Sequence, residues 1–553
     1  MADAKYSFDA CLNIQFLMIM GQHLLTLMIF FPLLGAAVIS AIPNSKAVYS
    51  KWVALMSTLI QLILAFIVSL GFRPSAGEGL MSEGFQYVEK AVWFELPLAT
   101  FGAFKVDYYI GVDGISLPLI VLSSLLLVIG VISSWKLAHQ ARGYFILYLL
   151  LATSIVGCFL ALDFFLFYLF FELMLLPMFF LIGIWGGKNR SYAAIKFFLY
   201  TLLGSLLILA VMIGLYLSVI DPADGSFSFN ITYMMDPANY RENAWLGMES
   251  AKWLFGLPVR EVAFLGLMIG FGIKLPVVPL HTWLPDAHVE APTAISVILA
   301  GLLLKVGGYS FFRIAYSIFP DAALAWTFPI ACVGVLSIVY GGMNALAQND
   351  FKRLVAYSSV SHMGFVLLGI SSITYEGASG ALFHMVSHGL ISGSLFLLVG
   401  VLYDRTAERG INNFSGLASR LPGYTFLITV AFFASLGLPG LSGFVGELLS
   451  LMGAFKSASL GNLPLWLPVL AVFGILISAV YYLWTLQRMF FGKYWVRDQS
   501  WESKMQDLSL REYLLLVPLA LLIVTLGVWP RLLLDISSGT IREFITHIEQ
   551  FVK

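Results

Sequence analysis

Isolated charges lie inside apolar runs long enough to cross a bilayer: Lys274 in LGLMIGFGIKLPVVPL, Lys305 in AISVILAGLLLKVGGYSFF and Glu172 in FFLFYLFFELMLLPMFFLIG. In hydrocarbon every backbone N–H and C=O must be satisfied within the protein, so such runs fold as spanning helices of about 20 residues. A charge at the middle of one costs roughly 2.5 to 3.5 kcal/mol on insertion scales. It must face partners or water inside a bundle, and residues of this kind mark ion routes by default.

Composition excludes a soluble domain. Of 553 residues 59% are hydrophobic and 11% charged, where a soluble domain carries about 25% charged residues. Reading for spans gives about fourteen, near 24–42, 52–71, 115–134, 144–162, 164–185, 195–219, 262–280, 294–312, 324–345, 353–371, 378–402, 424–452, 464–487 and 512–529. The expected fold is therefore an all-α membrane bundle. With that count, the short-loop cations, among them Lys46, Lys136, Lys188, Arg190, Lys352, Arg353, Arg405 and Arg409, fall on one side, which the positive-inside rule makes cytoplasmic. Both termini are then expected outside. The two long connections, 72–114 and 220–261, share that outer side.

Residues 1–21 carry Asp3 and Asp9 and lack a basic n-region, so they do not read as a cleaved signal peptide. Cys11, Cys158 and Cys332 have no paired spacing that holds zinc or an iron–sulfur cluster, and neither a dinucleotide nor a nucleotide-triphosphate loop motif occurs. No cofactor or metal is expected in this chain.

Two spans are interrupted alike. The seventh contains Gly270, Gly272, Pro276 and Pro279, and the twelfth Gly437, Pro439, Gly440, Gly443 and Gly446; each also carries one ionisable group, Lys274 or Glu447. Broken helices in corresponding halves point to the site of a protein built from inverted repeats. Spans four to eight would form one five-helix repeat and nine to thirteen its inverted copy. The expected domains are 1–143 (first three spans), 144–312 (first repeat), 313–490 (second repeat) and 491–553 (last span and a short helix). The bland alternative is that Gly and Pro are simply common in membrane helices; it leaves the coincident charges unexplained.

Glu172, ionised and unpaired among apolar neighbours, needs a cation or a proton. Two unit charges about 4 Å apart at an effective dielectric near 20 interact by roughly 4 kcal/mol, equivalent to about 3 pKa units. Glu172 is expected to pair with Lys274, and a changing distance would load and release a proton; the competing reading is a static ion pair. Lys305, His362, His388 and Glu447 offer further stepping points, with His384 a weaker candidate because a lone membrane histidine often only hydrogen-bonds. His281 and His288, in HTWLPDAHVEAPT, match no zinc motif and suit proton uptake or a structural role better than a metal.

Several stretches carry polar positions that chance similarity of apolar helices would not reproduce. They are YYIGVDGISLPL, FFELMLLPMFFLIGIWG, KLPVVPLHTWLPDAHVEAPTAISVILAGLLLKVGGY, RLVAYSSVSHMGFV, FHMVSHGLISGSLFLLVG and LGLPGLSGFVGELL. Over about residues 107–450 the chain resembles the antiporter-like proton channels of respiratory complex I and their relatives in multisubunit cation/proton antiporters. The resemblance implies that Glu172 and Lys274 form the coupled pair, Lys305 and His362 the central relay, His388 a connection and Glu447 the terminal group. It implies proton pumping driven by NADH-to-quinone electron transfer in other subunits, which hold the FMN, iron–sulfur clusters and quinone. Expected partners are the L- and N-type antiporter-like subunits and small membrane subunits in a bacterial inner membrane, with no nucleic acid. The nearest alternative is a subunit of a sodium/proton antiporter or membrane-bound hydrogenase; a non-conducting scaffold and a solute carrier stand further off.

Overall fold

The computed structural model describes residues 23–74, 84–98, 102–248 and 250–551. Asp3, Asp9 and Cys11, and the expectation for residues 1–21, lie outside them. Among the described residues twelve helices are long and apolar enough to cross a membrane. In chain order the helices of eight residues or more are α1 (Leu24–Ala41), α2 (Ser50–Gly71), α3 (Ser116–Ser133), α4 (Ala141–Leu160), α5 (Phe164–Leu173), α6 (Leu175–Trp185) and α7 (Arg190–Tyr216). They continue with α8 (Val259–Lys274), α9 (Trp283–Glu290), α10 (Thr293–Tyr316, alternating α and π turns), α11 (Thr327–Leu346), α12 (Phe351–Ser371) and α13 (Tyr375–Thr406). The last are α14 (Pro422–Ser435), α15 (Ser442–Ser459), α16 (Trp466–Phe490), α17 (Leu510–Val528) and α18 (Arg531–Glu549).

The two expected spans that are missing from the twelve are the interrupted ones. Helix α8 stops at Lys274, and extended or turn backbone follows until α9. The other segment divides into α14 and α15 around Gly437 and Gly440, whose φ values of +77° and +91° lie in the left-handed region that glycine tolerates.

The chain is not all-α, as the sequence reading had it. Within the connection between α2 and α3, β1 (Gln86–Leu98) and β2 (Gly102–Val112) pair antiparallel with two register shifts. The hairpin was missed because the connection was read for apolar length and not for strand periodicity. It is anchored by Glu89, whose carboxylate accepts from the Leu25 and Thr26 backbone N–H groups at 2.9 and 3.2 Å, at the positive end of α1.

Burial separates a centre from a rim. Helices α10 and α13 are 100% buried in their most apolar stretch and α12 is 94%, whereas α1, α2, α7 and α16 are 39% buried and present Leu, Ile and Phe outward. At 1.5 Å per residue the 32 residues of α13 span about 48 Å, and α13 packs on α12, α14, α15, α17 and α18. The apolar stripe expected after the last span is α18, with Ile541, Phe544, Ile545 and Ile548 inward. It is tied back by Thr540 Oγ1, accepting from Gly114 N–H at 3.1 Å, and by a 2.8 Å contact between His547 Nε2 and the Ser317 carbonyl.

Candidate functional site: a buried polar row

Lys305 sits on α10 just after the π turns at Leu299–Leu303. The wider turn lets its side chain fold back, and Nζ donates to the Ala300 carbonyl at 2.6 Å. The same Nζ is 2.6 Å from His388 Nδ1 on α13. An ammonium has no acceptor, so in the state where Lys305 carries its proton His388 Nδ1 accepts and Nε2 carries the imidazole hydrogen; with a neutral lysine the roles can reverse. Both residues are buried.

From His388 the row continues into α12. The rings of His362 and His388 are 5.4 Å apart, and His362 Nδ1 lies 3.4 Å from Glu447 Oε1 on α15. Its other nitrogen, Nε2, meets Ser435 Oγ at 2.9 Å, and that hydroxyl donates to Tyr482 at 2.7 Å, so a hydrogen bond orients the imidazole on one side while Nδ1 faces the Glu447 carboxylate without one. Gly437 is required here twice: its φ is positive, and a Cβ would run into Glu447 Oε2.

His384, one α-turn from His388, also enters the cluster, with its ring 5.3 Å from that of His362. Both of its nitrogens, both Glu447 oxygens and the Tyr481 hydroxyl are buried without a hydrogen-bond partner in the protein. Native interiors rarely leave such atoms unsatisfied. Potential ligand atoms of His362, His384 and Glu447 all lie within 4.8 Å of one another. Zinc bonds of about 2.0–2.2 Å would bring tetrahedral ligands to roughly 3.4 Å apart, so a metal would draw together any pair of these atoms that stands near the 4.8 Å limit.

The other half is looser. Lys274 is the last residue of α8, 2% exposed, with Nζ 4.2 Å above the Phe171 ring. A cation suits that position, since α8 ends there and the C-terminal end of a helix dipole favours positive charge. Glu172, at the end of α5, is half-buried and feels both Ser205 and Lys274. The expected direct pair is not closed: among the described residues no ion-pair contact joins Glu172 to Lys274, and no hydrogen bond joins Lys274 to Lys305. The backbones are nevertheless tight, because a Cβ on Gly307 of α10 would lie 2.7 Å from Leu275 N and 3.1 Å from the Lys274 carbonyl carbon.

The two remaining histidines do not join the row directly. His288 is fully buried, stacked on Phe396 at 4.4 Å, with both nitrogens unpartnered and Lys305 and Lys352 in electrostatic range. His281 packs its ring edge-on against Tyr340 and Tyr357. Sequence reasoning missed the Asp113–Arg313 ion pair, buried near the C-terminal end of α10. Ending the eighth span at residue 312 put Arg313 outside the helix; the signal was a charge following an apolar run without a turn. It also passed over Lys352 as a loop cation, although Nζ is buried and donates to the Ala291 carbonyl at 2.6 Å.

The sequence profile of the NADH:quinone oxidoreductase/Mrp antiporter membrane domain matches residues 161–478, and that of the NADH-ubiquinone oxidoreductase chain 4 amino terminus matches 90–162. The NADH-quinone oxidoreductase subunit M of Rhodobacter capsulatus is 39% identical over 528 residues, 95% of this chain and 96% of the relative. A chain of respiratory complex I from Thermus thermophilus superposes with TM-score 0.77 at 30% identity, covering 95% of this chain and 99% of its own. A chain of the Mrp complex from a Dietzia species shares the fold at TM-score 0.75 and 20% identity, covering 97% and 100%.

Proposed function

This chain belongs to the NADH:quinone oxidoreductase/Mrp antiporter family and is a proton-translocating membrane subunit of the M type of NADH:quinone oxidoreductase; on that premise we propose that its protons move along Glu172, Lys274, Lys305, His388, His362 and Glu447. The observation that carries this reading is the contact row from Lys305 Nζ through His388 and His362 to Glu447, on four different helices. Isolated structural charges would not need to converge in this way.

In this scheme Lys305 gives a proton to His388 Nδ1 and remains neutral against the Ala300 carbonyl. His388 passes the charge toward His362, which Ser435 orients, and Glu447 receives it at the end of the row. Water satisfying the orphaned atoms of His384 and Glu447 would complete the last link. The open spacing of Glu172 and Lys274 is one position of a switch whose closed position holds the proton on the lysine. Moving one charge against 100 mV takes about 2.3 kcal/mol, and closing the pair to about 4 Å at a dielectric near 20 supplies roughly 4 kcal/mol. His281 and His288 belong to the uptake side, His288 being the one in range of Lys305.

The reading extends to architecture. Counting α8 with α9, and α14 with α15, as single broken crossings gives fourteen spans. These divide into 1–143, two inverted five-helix repeats at 144–312 and 313–490, and 491–553. Redox work reaches the chain from partner subunits that hold FMN, iron–sulfur clusters and quinone, through L- and N-type and small membrane subunits, in a bacterial inner membrane with both termini outside. The test is the proton yield per NADH of the assembled enzyme: Lys274→Ala or Glu172→Gln lowers it, and a normal yield in either variant rejects the switch.

A further inference from the structure

A cavity of about 640 Å³ opens between the C-terminal end of α7 and the N-terminal end of α8, and no residue of the buried row lines it. Its wall runs along α7 from Leu207 to the helix end and on to Leu217 and Ser218, and along α8 from Val259 to Gly266, with Ala210, Val211, Gly214 and Ala263 facing it. The ten helical residues 207–216 rise about 15 Å, which is close to half of a hydrocarbon core of about 30 Å. The groove is therefore as deep as one leaflet, apolar through that depth, and parallel to the helices.

Its mouth is of different chemistry. Arg241 and Lys252 line the rim. Lys252 Nζ donates to the Asn243 carbonyl at 3.2 Å and sits 4.6 Å over Trp245, and the Arg241 guanidinium lies 5.0 Å over Phe227. Glu242 lines the same rim, but among the described residues neither cation has a carboxylate at ion-pair distance. Beside them Trp245, Trp253 and Phe255 are 61%, 67% and 89% exposed, the arrangement of aromatic rings expected where a chain crosses the headgroup level. With two cations and one acid at its mouth the apolar slot carries a net positive rim, which matches a molecule with an anionic head and a hydrocarbon tail.

We propose that this groove is a binding site for one anionic phospholipid, its phosphate held by Arg241 and Lys252 and an acyl chain laid between α7 and α8. A neutral lipid would fill the slot and leave the cations unanswered, and a partner helix would need an acid at the same height.

The assembled enzyme, delipidated and placed in nanodiscs with a photoactivatable phosphatidylglycerol or phosphatidylcholine at equal mole fraction, tests this directly. Peptides from 207–218 and 259–266 are expected to be labelled by the glycerol lipid several-fold more than by the choline lipid. Arg241→Ala with Lys252→Ala, both on the surface, lowers that labelling on the order of 10-fold or more, from the weight of two basic groups on an anionic lipid. Ala210→Trp, an exposed helix position, lowers labelling by both lipids by filling the slot. Equal labelling by the two lipids reduces the groove to ordinary annular contact and overturns the proposal. So do unchanged labelling in the double variant and a polypeptide segment seated in the groove of the assembled enzyme.

Discussion

The two helix breaks solve one problem with opposite polarity. At the first, the charge is a lysine on the final residue of the upstream half-helix, the end whose dipole favours a cation; at the second, it is a glutamate in the second turn of the downstream half-helix, nearer the end that favours an anion. They differ in what happens next. Lys274 has an aromatic face and a distant acid, whereas Glu447 has His362 at 3.4 Å and a hydrogen-bonded chain behind it. The comparison teaches that a break supplies a place for a charge, while contact between helices decides whether that charge is isolated or continued.

The hardest test of this contrast is at its centre. Lys305→Met removes the group that joins the loose half to the tight one, and should abolish the share of proton translocation carried by this chain. The measurement is the proton-to-electron ratio in vesicles holding the assembled enzyme, and an unaltered ratio would favour a scaffold. Glu447→Gln should come next. A neutral side chain of the same shape keeps the packing against Gly437 and loses the terminal acceptor, so the ratio falls while assembly on native gels stays normal.

Backbone proximity gives a matched pair of glycine tests. Gly307→Ala presses a methyl onto the Leu275 amide, and Gly437→Ala adds a strained φ to a collision with Glu447. Overpacking of this kind costs about 1–3 kcal/mol, so both should lower the thermal midpoint. Only Gly437→Ala should also displace the Glu447 carboxylate and depress pumping beyond its effect on stability. A smaller effect is expected of Ser435→Ala, which takes one hydrogen bond from His362 worth about 1 kcal/mol; it should shift the pH profile of pumping while leaving quinone reduction intact.

How far the sequence alone reached follows the same division. Spans were legible because a bilayer fixes their length, and the breaks because Gly and Pro coincide with a charge. The six relay candidates stood out as ionisable groups in apolar surroundings. What stayed hidden depends on contacts between distant helices: that Lys305 reaches His388 through a π turn, that His384 shares the Glu447 cluster, and that Lys352 turns inward to Ala291. The β hairpin was hidden because its partner strand had to be found by alternation in a segment scanned for continuous apolarity.

Outside the membrane, Asp224 accepts from the Ser226 hydroxyl and amide and then from Lys105 at 3.0 Å, which together hold its carboxyl down at about 2. A depressed folded pKa stabilises above the unfolded value of about 4. That contribution is lost as pH falls from there through about 2. Asp224→Asn should therefore loosen the turn at 221–226 at neutral pH only slightly, as hydrogen exchange would register, and leave the two breaks untouched.

The central claim is a hydrated path through the loose half into the tight one. A high-resolution map of the assembled enzyme, with ordered water resolved between Lys274, Lys305, His362 and Glu447, tests it most directly. The account predicts waters bridging Lys274 to Lys305 and satisfying His384 and Glu447; dry, separately packed side chains across that interval would contradict it.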